Sequence, residues 1–379
     1  MRILLAALLV TTIAPHAANP QSVKEPPAIT LLSATAADGR TDSVATGSVA
    51  TGSVTTVAAW ESRRQAIRKN VEQVMGAPPP HESPPLDLLV ITDEKDGPDD
   101  GTNSDVEDQV RRRKVSYHTD SRDSRVNAWL LSPADSTGEP LPAVLCLHQT
   151  VAIGKDEPAG LGGNRHLRYA LELARRGYVT LAPDYPSFGE HNYDFTTDDY
   201  QSGSMKAICD NVRAVDLLQS LPEVDPRRIG VIGHSLGGHN AIFTAFFEPR
   251  LRAVVSCCGF TRFHRYYHGD LKGWTSERYM PRIATRYGND PDRMPFDFPE
   301  LIAGLAPRPF LAVAPVNDDN FDVVGVRETI HAAGSVYRLY GQEESLRAIY
   351  PDSEHDFPDH AREIAYSFFD QHLAQVPAE

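Results

Sequence analysis

One short segment constrains the fold of this chain more than any other. An apolar run from Ile229 to Ile232 leads directly into Gly233-His234-Ser235-Leu236-Gly237-Gly238, and a helical pattern over 237–247 leads directly out. The spacing G-x-S-x-G is weak by itself, since chance gives it to ~1 chain in 10 at ordinary glycine usage. Between a buried strand and a helix it becomes specific. A serine exposed on a sharp strand-to-helix turn sits in a strained backbone, and side chains at Gly233 or Gly237 would collide with it. The start of the helix also favours negative charge developing beside Ser235. A glycine-rich turn with a capping serine is the plainer reading, and both flanks argue against it.

The flanks belong to a longer rhythm. Strand-like runs at 111–118 and 125–132 are joined by a polar turn, and Pro142 precedes a continuous apolar run, AVLCLHQT. Helical patterns at 166–176, 205–221, 237–247, 324–333 and 360–374 then alternate with strand patterns at 178–184, 228–235, 251–258, 309–316 and 346–350. Such alternation predicts an α/β fold with a mostly parallel central sheet and helices on both faces. Residues 260–300 interrupt it with an aromatic-rich stretch of no clean period. An insertion over the C-terminal ends of the strands, where ligands of open α/β sheets bind, would look like this.

A nucleophilic serine needs a base, and the base an orienting acid, here in the chain order Ser, Asp/Glu, His. The run 309–316 is followed by Asn317-Asp318-Asp319-Asn320, and the run 346–350 by Pro351-Asp352-Ser353-Glu354-His355-Asp356-Phe357. His355 is the candidate base; His331, His360 and His372 fall within helical patterns. Asp318 is favoured as the acid by its place in the loop, with Asp319 as the alternative. An oxyanion hole needs two backbone N–H groups. Leu236 should supply one and Gln149, after the first buried strand, the other. His148 reads as a strand-end histidine bonded to its loop rather than a catalytic group.

At these residues the chain resembles the α/β-hydrolase superfamily, and within it the branch of dienelactone-hydrolase-like proteins and acetyl xylan esterases. The likeness covers about residues 110–375 and rests on LCLHQT, GYVTLAPDYPSFGE, GHSLGG, VAPVNDDNF and PDSEHDFP. Dienelactone hydrolases use a cysteine nucleophile, so Ser235 argues for esterase-style chemistry. The usual His-Gly after the oxyanion strand is His148-Gln149 here. The resemblance also implies that Asp184 and Tyr185 shape the pocket floor. It implies an α/β-hydrolase fold and acyl transfer through Ser235, His355 and Asp318, with no metal or organic cofactor. A prolyl-oligopeptidase-like serine peptidase shares fold and triad, but the residues before the pattern are too few for a propeller. A catalytically inactive binding module is disfavoured because all three triad positions are filled.

Composition bounds the surroundings. Among 379 residues, 37 Lys+Arg face 51 Asp+Glu, a net −14, which makes nucleic acid a poor partner. Residues 93–108 hold eight of the acidic residues and one lysine. They lack the spaced calcium-loop pattern, so a solvated loop is expected. Residues 1–18, MRILLAALLVTTIAPHAA, fit a signal peptide and a secreted or periplasmic protein with no membrane span after cleavage. Residues 19–56, with SVATG-SVATG-SVTT, read as a flexible linker, leaving 57–379 as one catalytic domain with an N-terminal helix from near Trp60. Four cysteines exclude a disulfide scaffold, and their apolar settings suit free core thiols. Residues 260–288 carry six basic and two acidic residues among five Tyr and Trp. Tyr266, Tyr267, Trp274 and Arg282 are the candidate substrate contacts, aromatic faces for a carbohydrate ester or arginines for an anionic one. The alternative is that those cations pair with the protein's own carboxylates. A small-molecule or carbohydrate ester is the expected partner; nothing in the sequence sets an oligomeric state.

Overall fold

The computed structural model describes residues 29–32, 54–80, 83–96, 110–120, 124–135, 138–196 and 199–373. The expected signal peptide lies outside them, as does most of 19–56. The two described pieces of that stretch depart from a linker. Leu31 and Val54 are buried in the core, and Val54 N–H donates to the Leu32 carbonyl at 2.8 Å. Their apolar side chains recover more from burial than the surrounding Ser, Thr and Gly could.

Helix α1, Val57–Met75, is capped by Thr56, whose hydroxyl accepts from Ala59 N, and buries Trp60, Ile67, Val71 and Val74 on one face. Among the described residues nine strands form one sheet. β1 (Leu89–Asp96), β2 (Val110–His118) and β3 (Arg125–Pro133) are antiparallel neighbours, and β3 pairs antiparallel with β5 (Val179–Pro183). From there the sheet is parallel: β5, β4 (Leu141–Leu147), β6 (Val224–His234), β7 (Leu251–Cys257), β8 (Phe310–Val313) and β9 (Leu346–Ile349). The central strands are buried on both sides, which is why they read as unbroken apolar runs. One face packs against α1, α3 (Gly203–Ser220), α4 (Leu236–Phe247), α6 (Phe298–Ala303) and α7 (Val323–Leu339). The other packs against α2 (Tyr169–Arg175) and α8 (Asp359–His372). The expected α/β-hydrolase architecture is what the sheet and its helices form.

β1 corrects the reading of the acidic run as a loop throughout. Asp93 and Glu94 lie in this edge strand, opposite Arg113 and Arg112, and the Asp93 carboxylate takes a bond from Arg111 Nε at 2.8 Å. Opposite charges across a strand pair favour the ladder. Asp99, Asp100, Asp105, Glu107 and Asp108 lie outside the described residues.

Residues 260–300 form a packed unit on the sheet's C-terminal edge. They comprise two short 3-10 turns (Tyr266–Gly269 and Leu271–Trp274), α5 (Arg282–Thr285), a further turn at Pro291–Arg293 and α6. Phe260, Phe263, Phe296 and Phe298 are buried, and Phe298 packs against Phe243 of α4. All four cysteines are free thiols, three of them buried. Among the described residues no helix is long and apolar enough to cross a membrane.

Candidate active site

The turn between β6 and α4 holds Ser235 at φ 55°, ψ −116°. A non-glycine residue held in this region costs ~1–3 kcal/mol and persists only where its surroundings over-determine it. Here they do. A Cβ on Gly233 would stand 2.1 Å from the Gly237 carbonyl oxygen, and one on Gly237 would stand 1.8 Å from that of Leu147. Both glycines are therefore required by close backbone approach, and the first turn of α4 is pressed against the end of β4. Leu236 opens the helix, where N–H groups lack intrahelical partners.

Two loops from neighbouring strands bring the candidate base and acid together. The β8–β9 ladder continues past the strands: Ala314, Val316 and Asn317 N–H groups donate to the Ile349, Pro351 and Ser353 carbonyls. This alignment sets Asp318 beside His355, with His355 Nδ1 at 3.0 and 2.9 Å from the two carboxylate oxygens. Asp318 Oδ1 also accepts the Asn320 and Phe321 N–H groups at 2.9 and 3.0 Å. Asp318 is buried, whereas Asp319 is exposed. The loop of His355 is pinned from behind by the 2.6 Å contact of His166 Nδ1 with Asp356 Oδ2.

A cleft of about 160 Å³ opens over Ser235. Leu236, His239, Tyr266, Trp274, Tyr279 and Phe321 give it an aromatic wall, with Thr150 and Asn320 at its polar edges. Among the described residues no Asp, Glu, Lys or Arg lines it. Two of the four candidate substrate residues, Tyr266 and Trp274, are in this wall. Tyr267 stands outside it, 50% exposed, and its hydroxyl donates to Asn320 Oδ1 at 2.5 Å. Arg282 is turned away, donating to the Gln73 carbonyl of α1 at 2.9 Å. Other cations of the insertion are matched internally: Arg262 and Arg265 both bind Glu328, at 3.0 and 2.6 Å, and Lys272 lies 3.4 Å from Asp270. His239, Thr150, Asn320 and Phe321 line the cleft without being among the sequence candidates, and Tyr279 is one of the insertion's aromatics that the four candidate contacts left out. His239 had a signal, being one helical turn beyond Ser235 and so on the same face of α4.

Under the nucleophile runs a relay of part-buried polar groups. Gln149 Nε2 donates to Glu157 at 3.2 Å, and its Oε1 faces His234 Nδ1 at 3.2 Å. The side chain of Gln149 thus points into the protein, while Thr150 reaches the cleft. Burial, aided by the nearby His355, pushes His234 down to about 3. His148 Nδ1 bonds the Gln149 carbonyl at 2.6 Å and Nε2 accepts the Tyr185 N–H at 2.9 Å, the strand-end role expected for it. Asp184 is not among the residues that line the cleft over Ser235. Its carboxylate accepts the Lys155 and Glu190 N–H groups at 2.8 and 2.9 Å and pairs with the Lys155 ammonium at 3.0 Å. Tyr185 packs with Leu236 and Tyr279 beneath the cleft wall.

An α/β-hydrolase sheet carrying a strained serine at its central strand-to-helix turn defines the class, and comparison with known proteins gives the lineage. The model of the prolyl oligopeptidase family matches residues 165–376, more than half of the chain, so this chain belongs to that family. It is similar to the putative hydrolase YtaP of Bacillus subtilis, 28% identical over 244 residues, 60% of this chain and 77% of that one. Its fold is that of a glucuronoyl esterase from Solibacter usitatus, with a TM-score of 0.66 at 19% identity over 93% of this chain and 100% of the other. A structure described as a putative acetyl xylan esterase from Bacteroides fragilis superposes with a TM-score of 0.58 at 20% identity, covering 78% and 76% of the two chains.

Proposed function

We propose that this protein is an exported serine hydrolase of carboxylic esters, with a small ester of a carbohydrate or similar neutral alcohol as substrate. The observation that carries the reading is the His355–Asp318 pair held beside the strained Ser235 turn. His355 sits against His234, the residue before the nucleophile, with ring centroids 4.9 Å apart. In the reaction Ser235 Oγ attacks the ester carbonyl while His355 takes its proton, and His355 then protonates the departing alcohol. Water, activated by the same imidazole, releases the acid and restores the serine. Asp318 holds the imidazole tautomer through Nδ1. The N–H groups of Leu236 and Gln149 are the proposed oxyanion donors.

The uncharged, aromatic cleft favours a neutral acyl group and alcohol over an anionic one, since a carboxylate bound there would lose its hydration without a cation to replace it. Its volume of about 160 Å³ is that of a small organic group. Tyr266 and Trp274 offer faces for a sugar ring. The names of the structural neighbours, glucuronoyl esterase and acetyl xylan esterase, point the same way for the chemistry.

The family match favours a second reading, a serine peptidase using the same three residues. A panel of acetyl, feruloyl, methyl-uronate and p-nitrophenyl esters and short prolyl peptides, assayed on wild type and Ser235→Ala, separates the two. Acetyl and p-nitrophenyl turnover lost in Ser235→Ala is the expected result. Peptide cleavage without ester turnover would favour the peptidase, and a folded protein with no Ser235-dependent turnover would leave a binding module.

A further inference from the structure

Behind the candidate base lies a second group of reactive side chains that the acyl-transfer mechanism does not use. Cys257 and Cys258 close β7, and their sulfur atoms are 3.7 Å apart. One ring nitrogen of His234 lies within 4.8 Å of both sulfurs, and all three residues are buried. We propose that His234, Cys257 and Cys258 form a binding site for a thiophilic closed-shell cation of the Zn²⁺ and Cd²⁺ class, and that its occupation inhibits the enzyme through His355.

The geometry supports the donor set in three ways. First, two thiolates on a tetrahedral ion with metal–sulfur bonds of ~2.3 Å stand ~3.8 Å apart, close to the separation already present. Second, the tautomer of His234 is settled by its neighbours. Gln149 spends its amide N–H on Glu157, so its Oε1 must accept, and His234 Nδ1 must carry the proton. That leaves Nε2 with a lone pair, buried and without a hydrogen-bond partner. A histidine whose other nitrogen donates to a fixed carbonyl is oriented as metal-ligating histidines are. Third, two sulfurs and an imidazole select soft cations over Mg²⁺ or Ca²⁺.

The link to activity is one residue long. Cys258 Sγ also lies within 4.8 Å of donor atoms of Asp318 and His355. A cation on the sulfurs would therefore find the acid and base of the acyl-transfer site as its next ligands, and would put positive charge where His355 must become positive. Without metal, each thiol donates its S–H toward the Asp356 carbonyl, at 3.8 and 3.5 Å. Binding thus replaces two S–H bonds by two metal–sulfur bonds, with both protons leaving to solvent, so apparent affinity rises with pH.

The test uses the full chain, reduced by a phosphine and free of chelator, titrated with CdCl₂. Thiolate-to-cadmium charge-transfer absorption, proton release and p-nitrophenyl acetate turnover are followed together. The expected result is saturation near one cadmium per chain, release of about two protons, and a loss of turnover of about tenfold or more that a chelator reverses. Cys257→Ala should keep its turnover without cadmium, lose the absorption, and resist the same cadmium concentrations; Cys257→Ser serves if the alanine variant does not fold. Wild type without the absorption, or a Cys257 variant inhibited as strongly as wild type, overturns the proposal. Absorption and proton release are read without any substrate, so a failure of the esterase reading leaves this test intact.

Discussion

His355 Nδ1 lies 2.9 Å from Asp318 Oδ2, and the other oxygen of the same carboxylate is held by two backbone N–H groups of its own loop. Asp318 is thereby fixed as an acceptor, and His355 must present its proton at Nδ1 and its lone pair at Nε2. Asp318→Asn would keep the shape and reverse the tautomer, because the amide can donate to Nδ1. By analogy with the same change in other serine hydrolases, kcat for p-nitrophenyl acetate should fall by ~10⁴-fold. Asp319→Asn, on an exposed neighbour, should change it less than twofold on the order-of-magnitude expectation for a screened surface charge. Equal losses in the two variants would contradict the assignment.

The elbow makes a structural prediction that needs no substrate. A methyl group at Gly237 would overlap the Leu147 carbonyl, which belongs to backbone rather than to a side chain that could rotate away. Overpacking of this kind costs ~1–3 kcal/mol when the surroundings yield, and more when they cannot. Gly237→Ala should therefore lower the denaturant midpoint and displace α4 from the end of β4, with activity lost. Gly341→Ala is the control. That glycine has open space around it, so its cost is confined to its φ of 64°. A Gly237→Ala protein as stable as Gly341→Ala would remove the steric account of the motif.

The parts of this molecule that were legible in the sequence are those written in local patterns. The buried strands announced themselves as apolar runs, and Ser235, Asp318 and His355 each follow such a run. Edge strand β1 escaped because its second half is acidic, and only its pairing with the arginines of β2 makes a strand of it. The charges of the insertion misled for a related reason. A count of six cations says nothing of their direction, and Arg262, Arg265 and Lys272 are each matched by a carboxylate brought from elsewhere in the chain or from the same turn. Cleft residues such as Thr150 and Asn320 stood beside residues the sequence reading chose. Which of two neighbours faces a cavity is a matter of loop geometry that no periodicity records.

Arg282 turns this difference into a measurement. Its guanidinium bonds the backbone of α1 and does not line the cleft. Arg282→Ala should leave the ratio of KM values for a neutral acetyl ester and an anionic succinyl ester unchanged within about twofold. It should lower stability by ~0.5–1.5 kcal/mol, the ordinary worth of one hydrogen bond. A selective rise in KM for the anionic ester would restore Arg282 to the substrate site.

Acid sensitivity follows from two histidines of α4 and its approach. Burial pushes His239 down to about 3, and burial together with His355 does the same to His234. In the unfolded chain both return to ~6.5. Between these values the unfolded state binds protons that the folded state refuses, so stability rises with pH and is lost as pH falls from ~6.5 toward 3. Each group contributes a slope of up to ~1.4 kcal/mol per pH unit in that window. His239→Gln removes one titration while keeping a polar side chain in the cleft wall. Urea unfolding of wild type and variant between pH 5 and 7 should show a shallower pH dependence in His239→Gln, by about one proton at the acid end. If the two slopes coincide, His239 is not held neutral by its burial against Trp274 and Phe243.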